Sequence, residues 1–311
     1  MKRQDPPMIS MGGFPAGLNN RAADTAGPEN DAGAPIALRE AVNVSLHNDG
    51  SPFRRPGQTQ RVTGKAHSLF AFHDWLLSVV DGELRGYRQG SDGSLTQDAV
   101  LATVGDRFCT FASDDFSTWW SNGVTGGRIA EDLSVHPFWV DTPAPVTLSS
   151  TSGSLAKGRY EVSLTAIDAD GRESGASGAV GIQVQTGQGI AVALPAAPVD
   201  AVRWRLYVTP PDGEVLYQQA ELAISATSAV IGNLTPLAAL ETQWLHPMLP
   251  CQCLRYGHSR LFGLAGNVLI WSEAYRLGLM HPDNHIVLGS EATLLEPVGD
   301  GTDAAGVWVA D

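Results

Sequence analysis

Charge is scarce in this chain. Asp, Glu, Lys and Arg make up 17% of its 311 residues, against roughly a quarter in an ordinary globular domain. With 43% hydrophobic residues, that shortage excludes a polyelectrolyte or a disordered chain. Cysteine is scarcer still: Cys109, Cys251 and Cys253 are the only three. An odd number argues against a disulfide framework and for folding in a reducing compartment. No apolar run reaches the roughly 18 residues that a membrane-spanning helix needs, so no membrane insertion is expected. The opening MKRQDPPMISMGGFP lacks the apolar stretch of a signal peptide.

Basic clusters are missing as well. The formal charge is −13, from 33 acidic and 20 basic residues. Residues 1–60 carry six of each sign; from residue 61 onward every segment is acidic. A basic stripe is the electrostatic footprint of phosphate binding, so specific recognition of nucleic acid or of an anionic membrane is not expected. A duct through which DNA slides without sticking would favour this sign of charge.

What is abundant is turn chemistry, with 34 glycines and 19 prolines. Residues 1–37 are rich in Pro, Gly, Asn and Ala and read as an N-terminal arm, either a flexible terminus or a segment that orders against a neighbouring subunit. Val42, Val44 and Leu46 alternate with polar positions ahead of His47-Asn-Asp-Gly50, a strand leading into a hairpin. Over 38–140 short strands alternate with tight turns. Ser68–Phe72, Trp75–Val80 and Leu84–Tyr87 are separated by His73-Asp74 and Asp81-Gly82. The arrangement recurs over Phe108–Ala112, Ser117–Asn122 and Gly123–Ile129, then over Leu254–Ser272, and more weakly over Ala292–Val309. Repeated β-meanders of about 40 residues are the signature of propeller blades.

Residues 141–250 differ. They open on Asp141-Thr-Pro-Ala-Pro145, close on Pro247-Met-Leu-Pro250, and hold six or seven strands over about 100 residues, the pattern of a sandwich. The expected fold is therefore all-β: a partial, propeller-like body over 38–140 and 251–311, interrupted by a β-sandwich at 141–250. Outside the sandwich about 200 residues remain, too few to close a propeller ring, so neighbouring subunits are expected to complete it.

Candidate chemistry is sparse. His246, Cys251, Cys253 and His258 are four zinc-type ligands within thirteen residues, but the spacing is not that of a structural zinc site. Two small buried thiols at a domain junction beside unrelated histidines are the favoured reading. Asp168-Ala-Asp170-Gly-Arg-Glu173 lacks the ligand series of an EF-hand and reads as a hairpin turn. His281 and His285 are four apart, yet Pro282 and Asn284 favour a loop over the helix of H-E-x-x-H. There is no G-x-S-x-G, P-loop or G-x-G-x-x-G. Neither metal, cofactor nor catalytic residue is expected. Trp119 and Trp120, adjacent on one strand, suit an interface or the core. Arg54 and Arg55 ahead of Pro56 are candidate interface donors, because a guanidinium desolvates more readily than an ammonium.

Two kinds of resemblance follow. Gly158–Ser174 (GRYEVSLTAIDADGRES) and Arg205–Leu222 (RLYVTPPDGEVLYQQAEL) resemble fibronectin type III-like modules. Gly17–Val62, which carries GLNNR, LREAVNV and NDGSPFRRPG, then Ala66–Tyr87, and Leu254–Gly301, which carries RLFGLAGNVLIWSE, resemble tail hub or nozzle proteins of short-tailed bacteriophages and related head-to-tail components. The phage resemblance covers roughly 130 residues outside the sandwich. It implies a non-enzymatic β-propeller-like virion protein, made in the host cytoplasm and assembled as a homo-oligomeric ring in the tail. Its partners would be its own copies and neighbouring tail or connector proteins, with DNA passing through unrecognised during ejection. Two other classes stay open: a receptor- or carbohydrate-binding tail protein, and a propeller-type polysaccharide hydrolase.

Overall fold

The computed structural model describes residues 16, 44–47, 51–54, 60–235, 237–299 and 306–310, with backbone alone at Arg54 and Asp98. The arm expected over 1–37 lies outside these residues apart from Ala16. The chain divides into two units, Met1–Arg61 and Val62–Asp311. In the first, β1 (Val44–Leu46) and β2 (Pro52–Arg54) pair antiparallel. His47 stacks on Phe53 with ring centroids 4.1 Å apart, closing the hairpin that Asn48-Asp-Gly50 suggests.

The second unit is all-β, with several sheets and no helix among the described residues. No helix in it is therefore long and apolar enough to cross a membrane. β3 (Ala66–Phe72), β4 (Trp75–Val80), β5 (Glu83–Gln89) and β6 (Leu95–Thr103) form one antiparallel meander. β7 (Thr110–Ser113), β8 (Ser117–Ser121), β9 (Gly126–Ala130) and β10 (Val135–His136) form a second.

Seven strands follow: β11 (Thr147–Ser152), β12 (Gly158–Asp168), β13 (Val180–Val184), β14 (Gln188–Ala193), β15 (Ala201–Val208), β16 (Tyr217–Ala223) and β17 (Ser228–Ile231). They make a three-stranded sheet, β11-β14-β17, and a four-stranded one, β13-β12-β15-β16.

The chain then returns to short strands. β18 (His246–Pro247) pairs with β22 (Leu279–Met280). A fourth four-stranded sheet contains β19 (Cys253–Gly257), β20 (Arg260–Ala265), β21 (Val268–Trp271) and β23 (His285–Val287). β24 (Leu294–Val298) and β25 (Gly306–Ala310) form a last hairpin.

Side-chain alternation explains how the sheets pack. Successive residues of a strand point to opposite faces, and β8 is buried at all five positions. Trp120 joins Leu77, Val79 and Leu84 of the first meander in one core, whereas Trp119 joins Leu254, Leu261 and Ile270 of the β19-β20-β21-β23 sheet in another. The same alternation on β20 sends Leu261 into that second core and Phe262 into a further one with Leu295 of β24. Each inner sheet is thus covered on both faces. Burying a side chain of this size contributes on the order of 2 kcal/mol. Trp119 and Trp120, candidate interface residues by sequence, are 3% and 4% exposed and fill the core.

The two sheets of residues 147–231 share their own core, in which Tyr160, Val162 and Leu164 of β12 and Trp204 and Leu206 of β15 meet Ile190 and Val192 of β14. Glu173 pins its four-stranded sheet from outside. Thr165 Oγ1 and Tyr207 Oη donate to Oε1 at 2.6 and 2.7 Å, and Arg205 Nη1 donates to Oε2 at 2.7 Å. The segments that lead in and out are sealed together: a Cβ on Gly175 would lie 1.8 Å from the Leu245 carbonyl oxygen, so no larger residue fits there.

Candidate functional site

A cleft of about 830 Å³ opens where the second meander, the β12–β13 turn and the β21–β22 loop converge. Local chemistry builds each wall. On the β7–β8 turn, Asp114 Oδ1 accepts the backbone N–H of Phe116 and of Ser117, both at 2.8 Å. Capping its own turn in this way leaves the Phe116 ring 76% exposed. In the β21–β22 loop Tyr275 holds a left-handed backbone (φ 61°), fixed by its N–H donating to the Ser259 carbonyl at 2.9 Å. Its ring is 84% exposed.

The floor is charged. Asp168, 4% exposed, accepts the N–H groups of Asp170 and Arg172 on Oδ1 at 3.0 and 2.8 Å, and Arg172 Nε on Oδ2 at 2.8 Å. Arg172 also reaches Asp170 at 2.9 Å and lies over the Trp139 ring, 5.3 Å from its centroid. From β9, Arg128 donates Nη1 to Ser117 Oγ at 3.1 Å and Nη2 to Asp170 Oδ2 at 3.0 Å. Its side chain is 6% exposed. Burial above all, then the like charge of Arg172, holds its guanidinium below the ordinary value, with Asp170 opposing; an arginine nevertheless stays protonated. Arg128 Nε and Trp119 Nε1 are buried without an acceptor among the described residues. Further along, His136 bonds Asp200 through Nδ1 at 3.0 Å and Ser134 Oγ through Nε2 at 2.9 Å. Hydrogen bonds from Ser134 hold the Asp132 carboxyl below the usual range.

The sequence candidates fall elsewhere. Of Arg54 only the backbone is described, and Arg55 lies outside the described residues. His246, Cys251, Cys253 and His258 are not brought together. His246 Nδ1 donates to the Pro247 carbonyl at 2.8 Å and His258 Nε2 to that of Val298 at 3.0 Å. Cys251 belongs to the core around Trp119, whereas Cys253 packs against the next one. β19 starts only at Cys253, so the two cysteines do not share one face of a strand. Burial pushes the Cys109 thiol up to about 11 and that of Cys251 up to about 12. Among the described residues no three His, Cys, Asp or Glu side chains are placed to hold a metal ion. The Asp168-Ala-Asp170 segment is a turn, as its sequence suggests, and His281–His285 is a loop running into β23.

Sequence reasoning missed the cleft because its contacts are distant along the chain: Arg128 and Asp170 are 42 residues apart, His136 and Asp200 64. The one available signal was Phe116, an apolar residue beside a run of acidic turn residues.

No protein-family model matches the chain, and no curated protein matches it. Among solved structures it is similar to apo AztD from Citrobacter koseri, at 10% identity over 80% of this chain and 79% of that one, with a TM-score of 0.19. A likeness at that score carries no argument about this chain.

Proposed function

We propose that the chain is a non-enzymatic structural protein of a tailed-phage virion, assembling with its own copies into a ring in the tail or head-to-tail conduit. The observation that carries the reading is the stack of antiparallel meanders, in which β8 and β20 feed apolar side chains into the cores on both sides. That is how blades of a propeller-like body pack, and sheets so covered favour scaffolding over chemistry. The phage-like segments at 17–62, 66–87 and 254–301 supply the family, and the acidic balance of −13 suits a conduit that does not retain DNA. In this reading the two-sheet body at 147–231 is a fibronectin type III-like insert that decorates the ring. Arg54 and Arg55 serve as donors between subunits.

Sedimentation and electron microscopy of the purified full-length chain, with antibody labelling of tailed particles, test the proposal. Rings in solution and label on the tail are expected. A chain that stays monomeric at every concentration and never labels a particle overturns it.

A further inference from the structure

The chemistry of the cleft is that of a binding site. We infer that it takes a neutral oligosaccharide, and the inference stands whether or not the chain assembles into a virion. Its volume of about 830 Å³ falls in the range of ligand clefts, roughly 300–1,000 Å³. Phe116 and Tyr275 offer flat apolar faces at 76% and 84% exposure. A pyranose has the matching surface: apolar C–H faces that stack on a ring, and hydroxyls around its edge.

The polar groups decide the class of ligand. Six carboxylates line the cleft (Asp114, Glu131, Asp132, Asp168, Asp170 and Asp200) against two guanidiniums. Both guanidiniums already face Asp168 or Asp170. A phosphorylated, sulfated or otherwise anionic ligand meets net repulsion there. A cationic ligand gains little, because most of the carboxylates are already occupied. Arg128 and Arg172 counter Asp168 and Asp170, backbone N–H groups hold Asp114 and Asp132, and His136 sits on Asp200. Carboxylates held in this way retain free lone pairs, which accept from hydroxyl groups without needing a counter-charge. Arg128, more than nine-tenths buried and lining the cleft, keeps its Nη groups on Ser117 and Asp170 and so fixes the Asp170 carboxylate at the floor, where its free lone pairs face the ligand.

The test is calorimetric titration of the full-length chain with hexasaccharides of glucose, galactose, mannose and N-acetylglucosamine. Trp119 and Trp139 line the cleft, so their fluorescence is a second readout. Hexalysine and dextran sulfate are the opposing probes. At least one neutral hexasaccharide is expected to bind saturably. Phe116→Ala and Tyr275→Ala are each expected to weaken it about tenfold, the size of one lost stacking contact, with unchanged circular dichroism. Both variants should sediment as the parent chain does, so loss of sugar binding and loss of ring assembly are read separately. The inference is overturned if no neutral sugar binds, if binding survives both substitutions, or if only hexalysine or dextran sulfate binds.

Discussion

Arg128 on β9 and Asp170 on the β12–β13 turn are joined at 3.0 Å, one side chain 6% exposed and the other 58%. The two ends of this pair are therefore unequal. Water screens the aspartate, whereas the guanidinium depends on its few partners inside the protein. Asp170→Asn leaves the buried guanidinium a weaker, neutral acceptor and should lower stability by about 1–2 kcal/mol. Arg128→Ala should lower it by roughly 2–4 kcal/mol, because it also empties packed volume beside Ser117. Urea unfolding of both variants and the double mutant measures the difference. Equal losses would show that the arginine is no more dependent on its surroundings than a surface residue.

Glu173 receives Thr165, Tyr207 and Arg205 on its two oxygens. Glu173→Gln replaces one acceptor oxygen by a donor facing donors, which should destabilise by about 2–3 kcal/mol. Glu161→Gln, whose carboxylate meets only the exposed Arg159 side chain in the same sheet, should change stability by less than about 0.5 kcal/mol. Thermal unfolding of the two variants in parallel separates a satisfied network from a surface pair.

The thiols make stability fall at high pH. Cys109 and Cys251 titrate at about 11 and about 12 when folded, against 9.0 for a free thiol. The unfolded chain therefore releases these protons first. Stability conferred below pH 9.0 is lost as pH rises to about 11 for Cys109 and to about 12 for Cys251, at about 1.4 kcal/mol per pH unit within each window. Unfolding midpoints measured from pH 8 upward should decline, and less steeply in Cys251→Ala. In the native protein at pH 8 a thiol reagent should reach the half-buried Cys253 well before Cys251. Equal labelling rates would contradict the burial of Cys251.

Two glycines distinguish crowding from backbone conformation. Gly175→Ala drives a methyl into the Leu245 carbonyl, 1.8 Å away, whereas the left-handed Gly187 (φ 83°) has open space around it. The first should cost well over 2 kcal/mol and the second about 1 kcal/mol. Chemical unfolding of both variants gives the comparison directly, and the reverse order would overturn the packing described at Leu245.

Much of the fold is legible locally. Asp81-Gly82 and the apolar run Trp75–Val80 place β4 and β5 correctly, since a hairpin turn and its strands are decided by neighbouring residues. β11 (TLSSTS) and β17 (SAVI) are not legible as strands. Both flank β14 at sheet edges, where half-exposed side chains erase the apolar alternation. Trp119 and Trp120 look available on a single strand, because the sheets that cover them come from other parts of the sequence. The same reason hides the cleft: Asp200, Arg128 and Tyr275 belong to three distant segments, and their meeting is a property of sheet packing.

Thr110 of β7 accepts the N–H of Leu254 at 2.8 Å and donates to its carbonyl at 3.3 Å, across 144 residues of chain. At synthesis rates of roughly 5–20 residues per second, β7 emerges from the ribosome about 7–30 seconds before the strand that will cover it. Throughout that interval Trp119 and its neighbours present an unfinished apolar face, while the intervening residues 147–231 supply most of the side chains of their own core. The order of emergence therefore makes the second meander the part of the nascent chain that most needs shielding by a chaperone, and slowing translation within residues 141–250 should cost soluble yield more than slowing it after residue 271.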